Sequence, residues 1–285
     1  MSDSAAGAVK NAGTFEEAWP ILQEGIDKLI HHLEHEGPGL SQIFTSEEYM
    51  RFYTCVYEVC YSNPFGPDTR KMYDQYGKTF HDYISSKVLP SLRGKENQDL
   101  LKELLKQWTN FRILTRWLSR FCFCLERYYI PKARLVSLQE TSYLAFYKLI
   151  CCEINGKVTD AILSLIDRER EGEQIDQTFV KEILDIYVVI GADSLKYNEK
   201  DFEEAMVNAT AEFYSKKALD WISIMSYENY MVKVEECLKQ EESRVSSYLR
   251  YLTRYKLLEQ VVKRELLTVH ARKLEEKKHL DEAAA

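Results

Sequence analysis

Glycine and proline are scarce in this chain, 11 and 6 among 285 residues. Long segments therefore run without the two residues that most often break a helix. Within them apolar side chains recur at three-to-four spacing, while strict alternation is hard to find. That pattern predicts an all-α fold. No uninterrupted apolar run reaches the roughly 18 residues that a membrane-spanning helix requires. The start, "MSDSAAGAVKNAG", has no basic region followed by an apolar block. A soluble chain with no membrane partner is the expectation. Nor is there a basic excess: 38 Lys and Arg stand against 45 Asp and Glu, a net charge of −7 with both signs interspersed. Nucleic acid is therefore not expected as a partner, although a local patch of either sign can still dock a protein. The seven cysteines, at 55, 60, 122, 124, 151, 152 and 237, are odd in number and form no repeated CxxC pair. This suits packing thiols in a reducing compartment rather than a disulfide framework.

Catalytic motifs are missing as well. There is no glycine-rich phosphate loop and no GxSxG. "HHLEH" sets His31 and His35 one turn apart, a spacing that can hold a metal, but the HExxH order is absent and no third or fourth ligand is grouped with them. A solvated helix end accounts for the pair better than the metal hydrolase it would otherwise suggest. Cys122 and Cys124 point about 200° apart on a helix, and the adjacent Cys151 and Cys152 diverge too, so both pairs read as packing cysteines. "DREREGE", Asp167 to Glu173, alternates sign as a solvated face does. No enzyme, cofactor or metal is expected.

What the chain does contain is helices rich in aromatic residues. Residues 1–13 have too few apolar groups to offset the entropy of ordering and read as a tail. "TFEE" from Thr14 offers a capping box for a helix to His35, with Pro20 in its first turn and Trp19, Leu22, Ile26, Leu29, Ile30 and Leu33 along its face. Gly37-Pro38-Gly39 ends it, and "TSEE" from Thr45 caps the next. After the turn "NPFGPD" a helix is predicted over 68–92, and beyond "RGKENQD" a long one over 98–129 that Pro131 stops. Further helices are predicted at 137–153, 155–171, 176–190, 199–215 and 227–252. Tyr49-x-x-Phe52-Tyr53 opens one helix and Tyr143-x-x-Phe146-Tyr147 opens another 94 residues later, which suggests a helical repeat. From Glu241 onward the sequence is highly charged yet still periodic, and it reads as the start of another unit that is cut short.

The stretch "EEYMRFYTCVYEVC", Glu47 to Cys60, packs four aromatics into fourteen residues. At about 100° per residue, Phe52, Tyr53, Val56, Tyr57 and Cys60 fall within about 80° of Tyr49, and Cys55, Val59 and Met50 widen the apolar arc to roughly 220°. Only Arg51, Thr54 and Glu58 fill the remainder. Two arrangements fit: a helix buried on all sides, or one that packs its own domain on one side and a partner on the other. A second wide arc, spanning nearly half the helix, runs along 111–129 through Ile113, Leu114, Trp117, Leu118, Phe121, Cys122, Cys124, Leu125, Tyr128 and Tyr129. Phe123 falls outside it, among Arg112, Arg116 and Arg127, where the domain's own core does not explain a phenyl ring.

These residues also carry a resemblance. "YMRFYTCVY" resembles the second-helix signature of the cullin scaffold proteins, and "LLKELLKQWTNFRILTRWLSRFCFCLERYYI" resembles their fifth helix. The likeness is closest to plant members of the subfamily that serves Skp–cullin–F-box ubiquitin ligases. "NGKVTDAILSLIDREREGEQID", "VKEILDIYVVIG", "FEEAMVNATAEFYSKKA" and "YMVKVEECLKQEESRVSSYL" are similar to the second cullin repeat in order and spacing, so that the match runs over about 14–270. The resemblance implies an elongated stalk of stacked five-helix cullin repeats. Repeat 1 would span 14–134 and bind an adaptor, repeat 2 would span 135–245, and a truncated third would begin at 246–285. It also implies a non-catalytic scaffold whose tip holds a Skp-type adaptor and, through it, F-box proteins. By motif match the adaptor contacts would be Tyr49, Met50, Phe52, Tyr53, Val56 and Tyr57, with Trp117, Phe121 and Cys124 from the fifth helix. Cys124 stands where the family more often has an aromatic residue. The family's C-terminal region, which recruits a RING-box subunit, has no counterpart here, so that subunit is expected as a partner only in a full-length form. Such a chain alone is expected to compete with full-length cullin for adaptor in cytoplasm and nucleus. A generic helical-repeat module for another partner is the alternative.

Overall fold

The computed structural model describes residues 13–35, 37, 43–191, 199–248 and 255–284. Among them every regular element is helical: α1 (Phe15–His35), α2 (Ser46–Ser62), α3 (Pro67–Tyr83), α4 (Leu89–Leu92), α5 (Asn97–Phe121), α6 (Ile130–Ala133) and α7 (Leu138–Phe146). Next come α8 (Cys152–Arg170), α9 (Gln177–Gly191), α10 (Glu199–Ile224), α11 (Tyr227–Ser247), α12 (Tyr255–Lys263) and α13 (Ala271–Ala284). Five-residue π-helical turns join α3 to α4 (Ile84–Val88) and α7 to α8 (Tyr147–Cys151), and others lie at Leu125–Tyr129 and Arg264–Thr268. No described helix is long and apolar enough to cross a membrane.

Several predicted boundaries move, each for a local reason. Pro20 lies beyond the first turn, as the sixth residue of α1, where it removes the bond that would run to Glu16. At the start of α1, Thr14 Oγ1 donates to Glu17 Oε2 at 3.0 Å, a side-chain contact instead of the predicted capping box. Pro131 does not stop the long helix, since α5 ends at Phe121 before it is reached. It sits at the N-terminal end of α6, and the chain turns at Arg134, which is left-handed at φ +53° while Leu135 N–H donates back to Ile130 O at 3.1 Å. The break expected between 153 and 155 is absent, because α8 runs straight through the exposed Gly156. Gly172, at φ +99°, ends α8 in the same left-handed way and is a position where a side chain would be strained. α10 extends to Ile224, well past the predicted 215, and α11 ends at Ser247; the tail at 1–12, Pro38, Gly39 and the end predicted at 252 lie outside the described residues.

The chain forms two compact units, one of Met1–Lys95 with Lys102–Asn155 and the other of Glu96–Leu101 with Gly156–Ala285. The first is held by rings. Phe80, Phe111 and Phe146 are fully buried, with Phe111 at 5.5 Å from Phe80 and 4.8 Å from Phe146, and Trp108 closes on Phe146 at 5.0 Å. Phe146 belongs to the second of the two echoed motifs. Its counterpart Phe52 is buried as well, so the echo marks the position at which each helix enters a core. α1 lies close against α2 because Gly25 has no side chain: a β-carbon there would meet the Phe52 ring at 2.9 Å.

The second unit is held by charge inside as well as by rings. Tyr214, Tyr230, Val234, Val262 and Leu266 form its apolar core. Beside them Glu241 of α11 accepts Arg170 Nε of α8 at 2.8 Å, Arg244 Nη1 at 2.8 Å and the Tyr214 hydroxyl of α10 at 2.7 Å. Arg244 Nε and the Tyr248 hydroxyl meet on Glu169 at 2.9 and 2.5 Å. Three helices are thus tied at one buried carboxylate. Burial by itself would raise the Glu241 carboxyl, yet Arg170 and Arg244 hold it below its ordinary value of 4.5. Its stabilising contribution is therefore complete at neutral pH and is lost as pH falls below about 4.5 toward the lowered native value. Glu241→Gln leaves two buried guanidiniums short of a partner and should lower the unfolding free energy by about 3–5 kcal/mol at pH 7, measured by urea titration. The gap between wild type and variant should narrow at acid pH, and an unchanged gap would contradict the assignment.

Candidate functional site

α2 begins with a complete capping box. Glu48 N–H donates to Thr45 Oγ1 at 3.1 Å, and Thr45 N–H donates to Glu48 Oε2 at 2.9 Å. Glu48 also accepts Lys28 Nζ of α1 at 2.6 Å, and Arg51 reaches Glu24 at 2.9 Å. These exposed pairs add little stability; the rotation of α2 on α1 is set by the buried Phe52, packed against Gly25 and Phe44. That rotation decides which part of the wide apolar arc turns inward. Phe52, Cys55, Val56, Val59 and Cys60 are buried, whereas Tyr49, Tyr53 and Tyr57 are half-buried.

The three tyrosines continue to Tyr61 as a ladder of near-parallel rings. Successive centroids are 6.3, 6.1 and 5.7 Å apart, at interplanar angles of 18°, 20° and 18°. Each four-residue step rotates about 40° around the helix, so the ladder climbs out of the domain, and Tyr61 ends 74% exposed. Met50 flanks it at 52% exposure. Burial pushes the Tyr53 hydroxyl above its ordinary 10.0, and the neighbouring Cys124 and Tyr128 side chains add to the shift. It therefore stays a neutral hydroxyl at physiological pH. Tyr128, beyond α5, is itself exposed.

Beneath the surface lies a triangle of rings. Phe44, in the turn before Thr45, sits 5.6 Å from Phe52 and 5.3 Å from Phe121, and Phe52 is 5.4 Å from Phe121. Half-buried Trp117 caps this triangle at 4.9 Å from Phe44 and stands 6.4 Å from Tyr49. The resulting face is a hydroxyl-tipped aromatic surface on a rigid base. Chemically it can bury apolar side chains of a partner while its phenols meet that partner's polar groups.

Nine residues were expected to contact a partner, and the structure separates them. Tyr49, Met50, Tyr53, Tyr57 and Trp117 reach the surface. Phe52, Val56, Phe121 and Cys124 do not: they are 3%, 0%, 0% and 0% exposed, and they support the face from below. The angular window around Tyr49 was too coarse to divide the arc, because both halves are apolar and only the packing of α1 and α5 separates them. Cys124 lies inside, its thiol 3.0 Å from that of Cys60. Cys122 is buried too, although it diverges from Cys124 on the helix, because the chain is covered on both sides there.

Other exposed rings lie outside that expected set. Phe123, singled out above as misplaced for a core, is 48% exposed, and Tyr128 is 47% exposed. Tyr61 could have been found by carrying the Tyr49, Tyr53, Tyr57 series one turn further. Phe44 occupies the position before the cap, where an apolar residue commonly pins the chain entering a helix. His31 and His35 are exposed, with rings 4.2 Å apart and His35 Nδ1 2.9 Å from His31 O. Among the described residues no group of three or more metal-ligating side chains converges.

The arrangement has relatives. A family model described as "Cullin alpha solenoid domain" matches residues 19–284. The chain is 46% identical over 264 residues to "Cullin-1" of Oryza sativa subsp. japonica, an overlap of 93% of this chain and 35% of that protein. It is 40% identical over 266 residues to "Putative cullin-like protein 1" of Arabidopsis thaliana, covering 93% of this chain and 36% of the relative. With "Cullin-like protein 3" of the same plant it shares 38% identity over 246 residues, 86% of this chain and 93% of the other. The chain thus spans about a third of the length of the first two and nearly all of the third. By this match and by its all-α architecture, the chain belongs to the cullin family.

Proposed function

We propose that this chain acts as the adaptor-binding part of a non-catalytic cullin scaffold in a Skp–cullin–F-box ubiquitin ligase. The tyrosine ladder with Met50 and Trp117 is the surface that holds the Skp-type adaptor, and F-box proteins join through that adaptor. The observation that carries this is the ladder itself: a run of phenol rings in one line that stands on a buried ring triangle and climbs to the exposed Tyr61. Family membership and the likeness of "YMRFYTCVY" to the second-helix signature of cullins support the same assignment. The mechanism is geometric. A scaffold holds the substrate receptor at a fixed place relative to the ubiquitin-loading machinery, and proximity supplies the rate. A RING-box subunit would join only a form that carries the family's C-terminal region, and the compartments would be cytoplasm and nucleus.

A pull-down with a Skp-type adaptor tests the surface. The wild-type chain should be retained, and Tyr53→Ala/Tyr57→Ala should lose retention by about tenfold or more, as expected for paired hot-spot aromatics. Equal retention of both would contradict the surface, and failure of the wild type to bind would contradict the adaptor as partner. Phe121→Ala should behave differently. Loss of that buried ring should lower the unfolding free energy by about 3–5 kcal/mol, whereas the Tyr57→Ala midpoint in urea should stay near that of wild type.

Competition provides an independent check. An excess of this chain should displace full-length cullin from adaptor-coated beads, and Tyr53→Ala/Tyr57→Ala should not. Displacement by both alike would mean that another face binds.

A further inference from the structure

The flank of α5 facing away from the ring triangle carries Arg112, Arg116 and Arg120 at four-residue intervals. At a rise of about 1.5 Å per residue the row advances in steps of about 6 Å and covers about 12 Å along the helix. With Thr109, Ser119 and, from α7, Gln139, these arginines line a groove of about 450 Å³. Among the described residues no carboxylate lines it. Elsewhere in the chain Arg51, Arg70, Arg93, Arg168, Arg170 and Arg244 each reach a carboxylate within 4.0 Å. Among the described residues Arg112, Arg116 and Arg120 form no such pair, and the sole recorded contact among the three guanidiniums is Arg120 over the Trp117 ring at 5.6 Å.

Such a row is unusual in a chain of net charge −7 with 45 acidic residues. Like charges four residues apart on a helix repel one another, and here no internal anion relieves them. The alternating-sign face that solvates most helices is therefore not what this stripe is. We propose that the groove docks an acidic segment of a protein partner, a short extended stretch with Asp or Glu at alternate positions.

Spacing selects that occupant. In an extended chain alternate side chains share one side and repeat at roughly 6.6–6.8 Å, close to the step between successive arginines. Each guanidinium offers a planar fork that takes a carboxylate through two hydrogen bonds, which a row of lysines would not supply. The exposed Gln139 amide stands at the groove's edge for the peptide backbone. A compact polyanion would satisfy one or two of the forks but not a row of about 12 Å. Arg120 joins the groove to the aromatic surface through Trp117, so one partner can cover both, although docking of the acidic segment does not depend on that partner being a Skp-type adaptor.

Fluorescence polarisation with a labelled peptide of alternating Glu and Ser measures the docking, with the Gln-for-Glu peptide and inositol hexakisphosphate as comparisons. Saturable binding to the wild-type chain should weaken with added salt. It should fall at least tenfold for Arg116→Gln and vanish for Arg112→Gln/Arg116→Gln/Arg120→Gln. Tyr53→Ala/Tyr57→Ala should leave it unchanged, which separates this groove from the surface proposed for the adaptor. Because the arginines are exposed, all variants should keep the wild-type circular dichroism; if the triple variant does not fold, Arg112→Gln and Arg116→Gln decide alone. Equal binding by wild type and arginine variants would overturn the proposal. So would equal binding of the Glu and Gln peptides, or binding of the hexakisphosphate without the peptide.

Discussion

Everything outward about the aromatic face depends on what Phe44 touches inward. This one ring, 3% exposed, contacts Phe52 of α2, Trp117 and Phe121 of α5, and lies 5.4 Å beneath the Lys28 ammonium of α1. Three helices therefore meet on a residue that belongs to none of them. With Phe52 and Phe121 drawn to that point, α2 cannot roll, and Tyr49, Tyr53 and Tyr57 are left on its outer flank. Gly25 completes the constraint, since only a residue without a side chain lets α1 come so close to Phe52.

On the proposed reading, a surface built in this way is prepared for binding. Its tyrosines stack on one another before any partner arrives, so little side-chain freedom remains to be lost, and each ring brings a large apolar area with only two torsions. Burial holds the Tyr53 hydroxyl above its ordinary value, so that it can donate or accept without the desolvation cost of a charge. Charge lies at the rim instead, in the Lys28–Glu48 and Arg51–Glu24 pairs. The second unit uses charge in the opposite manner. Its Arg170–Glu241–Arg244 group is buried and shared among helices, so that removing one partner leaves the others buried and unpaired.

Helix placement was legible in the sequence because it rests on local chemistry. The Thr45 capping box and the "NPFGPD" turn stand where their residues predict. Proline misled at positions 20 and 131: Pro20 lies beyond the first turn of α1, and Pro131 opens the short α6 after α5 has already ended at Phe121, while the chain turns at Arg134 in a left-handed conformation that no glycine announces. The width of the arc on α2 left two arrangements open, a helix buried on all sides or one with an inner and an outer apolar surface, and the exposed Met50 and Tyr61 favour the second. It could not say which residues belong to which, because the division between Tyr53 and Val56 is made by α1, α5 and Phe44, which are distant in sequence. Family likeness carried the same ambiguity: it named nine residues as contacts, and burial leaves Phe52, Val56, Phe121 and Cys124 beneath the face. The arginine row on α5 was visible as residues, but its lack of internal carboxylate partners is a property of the fold.

The central claim is that the tyrosine ladder is the face a partner covers. A photoreactive benzoylphenylalanine in place of Tyr61 tests it most directly, because that side chain is 74% exposed and can be replaced without disturbing the core. On irradiation with a Skp-type adaptor the probe should cross-link at position 61 and not at the exposed Lys102, at the end of α5 opposite Trp117 in the same unit. Cross-linking at 102 but not at 61, or equally at both, would contradict the account.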